Sequence, residues 1–173
     1  EHVFLVGGLG IDNIKRLQLL ELNALEADLG FKFGKKSLLI TFHPVTLESA
    51  TAAHQMAELL AALAQLQDTE LIFTLPNADT DGRALINLLE QFAAQNANAH
   101  VFASLGQLRY LSCMANVDGV VGNSSSGIIE APSFGKGTIN IGDRQRGRLQ
   151  AESVINSLPD RQSISAALSQ LYS

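Results

Sequence analysis

GNSSSGIIE, from Gly122 to Glu130, is the stretch whose residue types and spacing point most directly to chemistry. An apolar run stops at Gly122, and Ser124 or Ser125 is a natural helix N-cap after it. The first turn of such a helix presents free amides and the positive end of the backbone dipole, which favour a phosphate group. Ser124, Ser125 and Ser126 add hydroxyl donors, and Gly127 allows close backbone approach. Glu130 cannot hold phosphate, but a carboxylate there can accept hydrogen bonds from the two hydroxyls of a ribose. Plain capping would also explain the serines, so the anion reading needs a second group. GDRQRGR brings Arg144, Arg146 and Arg148 after the next apolar run. Guanidinium forks suit phosphate through paired, charge-assisted bonds, and solvated surface charge is the alternative. Together the two loops read as a site for a nucleoside diphosphate.

Other run ends are less specific. His43 precedes Pro44, which removes a backbone donor and stops a strand. An imidazole at the mouth of a sheet can donate to an anion or shuttle a proton. PNADTDGR is rich in turn formers; Asn77 could bond a ligand, while Asp79 and Asp81 could cap the next helix. GGLGIDN has Asn13 where a dinucleotide fingerprint needs glycine, so it reads as a tight turn. His2, His54 and His100 read as surface or packing residues, and Cys113 as a buried, inert thiol. No His, Cys and Asp cluster has metal-ligand spacing, and neither a metal nor another cofactor is expected.

These residues need elements to hold them. Apolar, β-branched runs occur at Val3–Val6, Ser37–Phe42, Glu70–Leu75, Ala99–Ala103, Gly119–Val121 and Thr138–Ile141. Helical periodicity fills the gaps at Leu47–Gln67, Arg83–Gln95 and Leu105–Ala115, and returns at Ser163–Tyr172. Ile11 to Leu29 reads as one or two helices broken by Gly30, Phe31 and Gly34, and Pro132 implies that the helix after the serines is short or kinked. Alternation of this kind predicts an α/β fold, a Rossmann-like parallel sheet with helices on both faces. Ligands then bind outside the carboxyl ends of the strands, where the candidate residues lie.

The chain has 173 residues, the size of one domain, and carries a formal net charge of −5. That balance argues against nucleic acid as a partner. No apolar run reaches the ~18 residues of a membrane helix, so no membrane partner is expected. Glu1 stands in place of a methionine and leads straight into HVFLVGG, as in a chain cut from something longer.

The pieces VGGLGIDN, TFHPVTLES, PNADTDG and GNSSSGIIEAPSFGKGTINIGDRQRGR resemble, in order, the UDP-N-acetylglucosamine 2-epimerases, and more closely their hydrolysing branch. The resemblance implies the C-terminal, UDP-binding half of a glycosyltransferase-B fold over residues 1–173, with the N-terminal domain missing. It implies UDP and UDP-N-acetylglucosamine as partners, a homo-oligomeric full-length enzyme, a cytoplasmic location and a role in sialic acid synthesis. By the same resemblance His43 reaches the catalytic cleft, Asn77 lies beside the nucleotide and the Leu105 backbone borders the uracil. Ser124 and Ser125 hold phosphate, Glu130 the ribose and Arg144 the diphosphate, while the main acid and base carboxylates belong to the absent domain. Gly137 stands where many relatives have proline and reads as a loop detail. Ala103 and Ser104 occupy the place of basic residues used for feedback in the animal enzyme, so such feedback is not expected. Two alternatives stay open: a GDP-linked or diacetamido sugar as substrate, or a non-enzymatic nucleotide-binding module.

Overall fold

A computed structural model describes residues 14, 16–44, 49–76 and 80–173, without the side chains of 49, 50, 80 and 81. The expected run Val3–Val6, the GGLGIDN turn, His2, Asn77 and Asp79 lie outside the described residues, as does the side chain of Asp81. The chain runs α1 (Leu22–Leu29), β1 (Lys36–Thr41), α2 (Ser49–Leu63), β2 (Thr69–Thr74), α3 (Thr80–Gln95) and β3 (Ala99–Phe102). It continues through α4 (Gly106–Asn116), β4 (Gly119–Gly122), α5 (Ser125–Ile129), a 3-10 turn (Ala131–Phe134), β5 (Gly137–Ile141), β6 (Val154–Ser157) and α6 (Arg161–Leu171). The strands form one parallel sheet in the order β3-β2-β1-β4-β5-β6.

Each strand alternates side chains between the two layers that cover it. Leu38 and Ile40 enter one core with Met56, Leu59, Leu85 and Leu168, from α2, α3 and α6. Leu39, between them, enters the other with Leu25, Cys113, Met114 and Val117, from α1 and α4. A strand buried on both faces reads as a continuous apolar run, as β1, β2, β4 and β5 do; with the half-buried edge strand β3, five of the six expected runs are strands within a residue of their expected ends. The sixth run lies outside the described residues. β6 went unpredicted because VINS is half polar, and it lies at the sheet edge, where half-burial suffices.

Gly30 takes φ +78° and ends α1, as its sequence position suggested. Gly137 is the first residue of β5 and not a loop residue; its missing Cβ leaves room for the Leu171 side chain. Strand order reverses between β1 and β4, which opens a crevice at their carboxyl ends. The chain after Thr41 and the chain after Gly122 face each other there.

Candidate functional site

Asn123 organises this crevice. It is 1% exposed, and its side chain forms a two-way clasp on the backbone of His43, eighty positions away. Asn123 Oδ1 accepts from His43 N at 2.8 Å, and Asn123 Nδ2 donates to His43 O at 2.8 Å. Its backbone N–H donates to Thr41 O, and its carbonyl accepts from Arg144 Nη1 at 3.1 Å and from Gln145 Nε2 at 2.8 Å. One buried residue thus ties together the ends of β1, β4 and β5. Gly122 makes the approach possible: it sits at φ +138°, and a Cβ there would collide with Thr41 O.

His43 lies two residues beyond the end of β1, so the strand stops before the His–Pro pair. Burial pushes its pKa below the ordinary histidine value, and the Arg144 guanidinium lowers it further. The imidazole is therefore neutral at pH 7 and ready to take a proton when an anion arrives. Arg144 itself is exposed.

The serines do what a cap requires. Ser124 is the N-cap of α5, its Oγ accepting from Ser126 N at 3.4 Å. Ser126 also meets the Tyr110 hydroxyl at 2.5 Å, and Tyr110 lies 3.3 Å from Thr41 Oγ1, which in turn lies 2.8 Å from Thr74 Oγ1. This chain of hydroxyls joins α5, α4, β1 and β2 across the crevice. Burial raises the Tyr110 pKa, so the phenol stays protonated and can keep donating. Glu130 ends α5, half-buried, and burial alone pushes its carboxyl above the usual range. No neighbouring cation offsets that cost among the described residues, which leaves a carboxylate with acceptor capacity to spare.

Two cavities flank these residues. One of about 380 Å³ lies at the ends of β2 and β3, lined by Thr74, Ala103, Ser104, Leu105 and Tyr110. A larger one, about 760 Å³, opens at the ends of β5 and β6 against α2, and Asn123 and Arg144 are part of its lining. The structure so brings His43 and Arg144 together through Asn123, and Ser124 and Glu130 to the two ends of α5, while Leu105 borders the smaller cavity. Ser125, the first residue of α5, is half-buried beside Ser124. Asn123 and Tyr110 were missed by sequence reasoning. Neither type advertises its role, since each acts through partners distant in sequence.

The family model for UDP-N-acetylglucosamine 2-epimerase matches residues 1–173. This chain belongs to the UDP-N-acetylglucosamine 2-epimerase family. It is 40% identical over 158 residues to the GDP/UDP-N,N'-diacetylbacillosamine 2-epimerase (hydrolyzing) of Campylobacter jejuni, covering 91% of this chain and 41% of that protein. It is 37% identical over 155 residues to the polysialic acid biosynthesis protein P7 of Escherichia coli, covering 89% of this chain and 39% of that one. The epimerase-family chain thus spans about two fifths of the length of these curated relatives. Among solved structures, a UDP-N-acetylglucosamine 2-epimerase of Listeria monocytogenes superposes with TM-score 0.74 at 16% identity, covering 98% of this chain and 44% of that one. The Neisseria meningitidis enzyme bound to UDP-GlcNAc gives 0.65 at 18% identity, covering 95% of this chain and 41% of that one. A cyanobacterial sucrose-phosphate synthase gives 0.60. Likenesses at such identity establish the fold alone, a parallel sheet with helices on both faces shared with glycosyltransferase-B-like chains.

Proposed function

We propose that this chain is the UDP-binding half of a hydrolysing 2-epimerase that converts UDP-N-acetylglucosamine to N-acetylmannosamine and UDP. The observation that carries the reading is the Asn123 clasp, which sets a neutral His43 beside Arg144 at the reversal of strand order. Around it, Ser124 and Ser125 offer donors to phosphate, Glu130 an acceptor to the ribose hydroxyls, and the cavity at Leu105 a berth for the base. Asn77 belongs beside the nucleotide on the family resemblance alone.

In the complete enzyme the C2 proton is lost, the C1–O bond to UDP breaks in an anti sense, and a 2-acetamidoglucal forms. Water then adds across that double bond to give N-acetylmannosamine. This half stabilises the leaving UDP: Arg144 and the Ser124–Ser126 donors take up charge as the bond breaks, and His43 can supply a proton to the departing phosphate. The base that removes the C2 proton comes from a second domain. Alone, this chain binds UDP, gains little from an attached sugar and turns nothing over.

A second reading has support as well. The 40% identity to an enzyme of diacetamido sugars favours a GDP- or UDP-linked diacetamido substrate on the same scaffold. Calorimetric titration with UDP, GDP and their N-acetylated sugars separates the two. Tighter binding of UDP than of GDP is expected, and a strong preference for GDP would sink the first reading.

A further inference from the structure

We propose that Tyr110 is a positioning residue for the diphosphate: its hydroxyl fixes which way the Ser126 hydrogen points and turns Ser126 into a donor aimed at the ligand. The proposal rests on the reading of the crevice as a UDP site and adds to it a residue outside the serine and arginine loops. Its geometry is a row of hydroxyls. Thr74 Oγ1 lies 2.8 Å from Thr41 Oγ1, and Thr41 Oγ1 lies 3.3 Å from the Tyr110 hydroxyl. That hydroxyl lies 2.5 Å from Ser126 Oγ, which in turn lies 3.2 Å from Ser124 Oγ.

Each hydroxyl has one hydrogen to give, so the row can run in either of two directions. If it runs from Ser126 toward Thr74, the Ser126 hydrogen is spent on the phenol oxygen and is lost to a ligand. If it runs from Thr74 toward Ser126, the phenol donates to Ser126 and the Thr41 hydrogen satisfies the phenol oxygen. The Ser126 hydrogen is then left for Ser124 or for the ligand. Two effects select this second direction. A phenol is a stronger acid than an alcohol, so the tyrosine donates and the serine oxygen accepts. A diphosphate beside Ser124 and Ser126 draws hydrogens toward itself, and hydroxyls in series strengthen one another. Burial raises the Tyr110 pKa, and the Glu130 carboxylate adds to the rise, so the phenol keeps its hydrogen at neutral pH. Tyr110 also lines the cavity of about 380 Å³ that holds Thr74 and Leu105 in its wall. One residue thus meets both the cavity assigned to the base and the serines assigned to the phosphate.

The proposal is tested by titrating UDP and uridine into the native chain, Tyr110→Phe, Ser126→Ala and the double variant. Tyr110→Phe should weaken UDP about five-fold or more and uridine less than two-fold, since only UDP uses the Ser126 hydrogen. Ser126→Ala should do the same. The double variant should bind UDP within two-fold of Ser126→Ala, because the phenol acts through that one serine. A tyrosine that merely supports the fold would weaken UDP and uridine alike, and that result overturns the proposal. So does a double variant whose loss is the product of the two single losses. Unchanged UDP affinity in Ser126→Ala overturns it too, whether or not Tyr110→Phe folds. A native chain that binds no UDP removes the nucleotide reading itself, whereas UDP binding indifferent to Tyr110→Phe removes this proposal alone.

Discussion

At the end of β4, Asn123 has every polar group paired, whereas Asn140, beside Gly122 on the adjoining strand, keeps a buried oxygen without a partner among the described residues. The first asparagine spends its hydrogen bonds on the protein and fixes three strand ends. The second leaves one open beside Arg146 and Arg148, which form no ion pair among the described residues. Preorganisation and unused capacity stand one strand apart. A crevice built as at β4 presents a fixed array of donors at no reorganisation cost when charge develops.

The sharpest way to break the comparison is Gly122→Ala. Its Cβ would strike the Thr41 carbonyl, and φ +138° is strained for any side chain. A loss of at least ~3 kcal/mol or failure to fold is expected, read by denaturant unfolding. Asn123→Ala comes next. It strands the backbone N–H and C=O of His43, at a cost of about 2–4 kcal/mol in stability and a fall in UDP affinity. A loss below ~0.5 kcal/mol would show that water replaces the clasp.

Glu130→Gln separates function from stability. Burial raises the Glu130 pKa, so the group favours folding in its protonated form, and that contribution is lost as pH rises through the folded value. At pH 7 the glutamine chain should be the more stable of the two, while UDP binding weakens by about 1–3 kcal/mol. Thermal unfolding with and without UDP reads both effects.

Arg144→Ala should weaken UDP more than uridine and let the His43 pKa rise, since the guanidinium is one of two causes holding it down. The sign follows from the lowered value. As pH falls below 6.5, the unfolded chain takes up the His43 proton first, so this histidine's share of stability is complete above that point and lost beneath it. Bound diphosphate opposes the shift, and UDP should bind more tightly, with proton uptake, as pH drops from 7 to 6. NMR titration of the imidazole checks each point. Tyr110→Phe is the mildest change, removing one link between Ser126 and Thr41 at about 1 kcal/mol, measured by unfolding.

Much of this could be read in the chain because parallel strands and caps are local. Leu38–Ile40 is apolar on both faces, and Ser124 precedes its helix, so both follow from a few neighbouring residues. The choice of Ser124 over Ser125 as cap needed backbone geometry. Asn123 was illegible because its partners lie eighty residues back and twenty-one ahead. Tyr110 was illegible for the same reason, because its hydroxyl meets Ser126 and Thr41, sixteen and sixty-nine positions away. The three arginines read as one cluster in sequence, and all three line one cavity, with Arg144 alone also tied to the Asn123 carbonyl.

The central claim is that the crevice tied by Asn123 holds UDP, with Glu130 on the ribose. Calorimetric titration of UDP into the native chain and the Glu130→Gln variant tests it most directly. Saturable binding at one site, weakened about five-fold or more in the variant, is the expected result. Absence of saturable binding to the native chain, or equal affinity in the two, would contradict it.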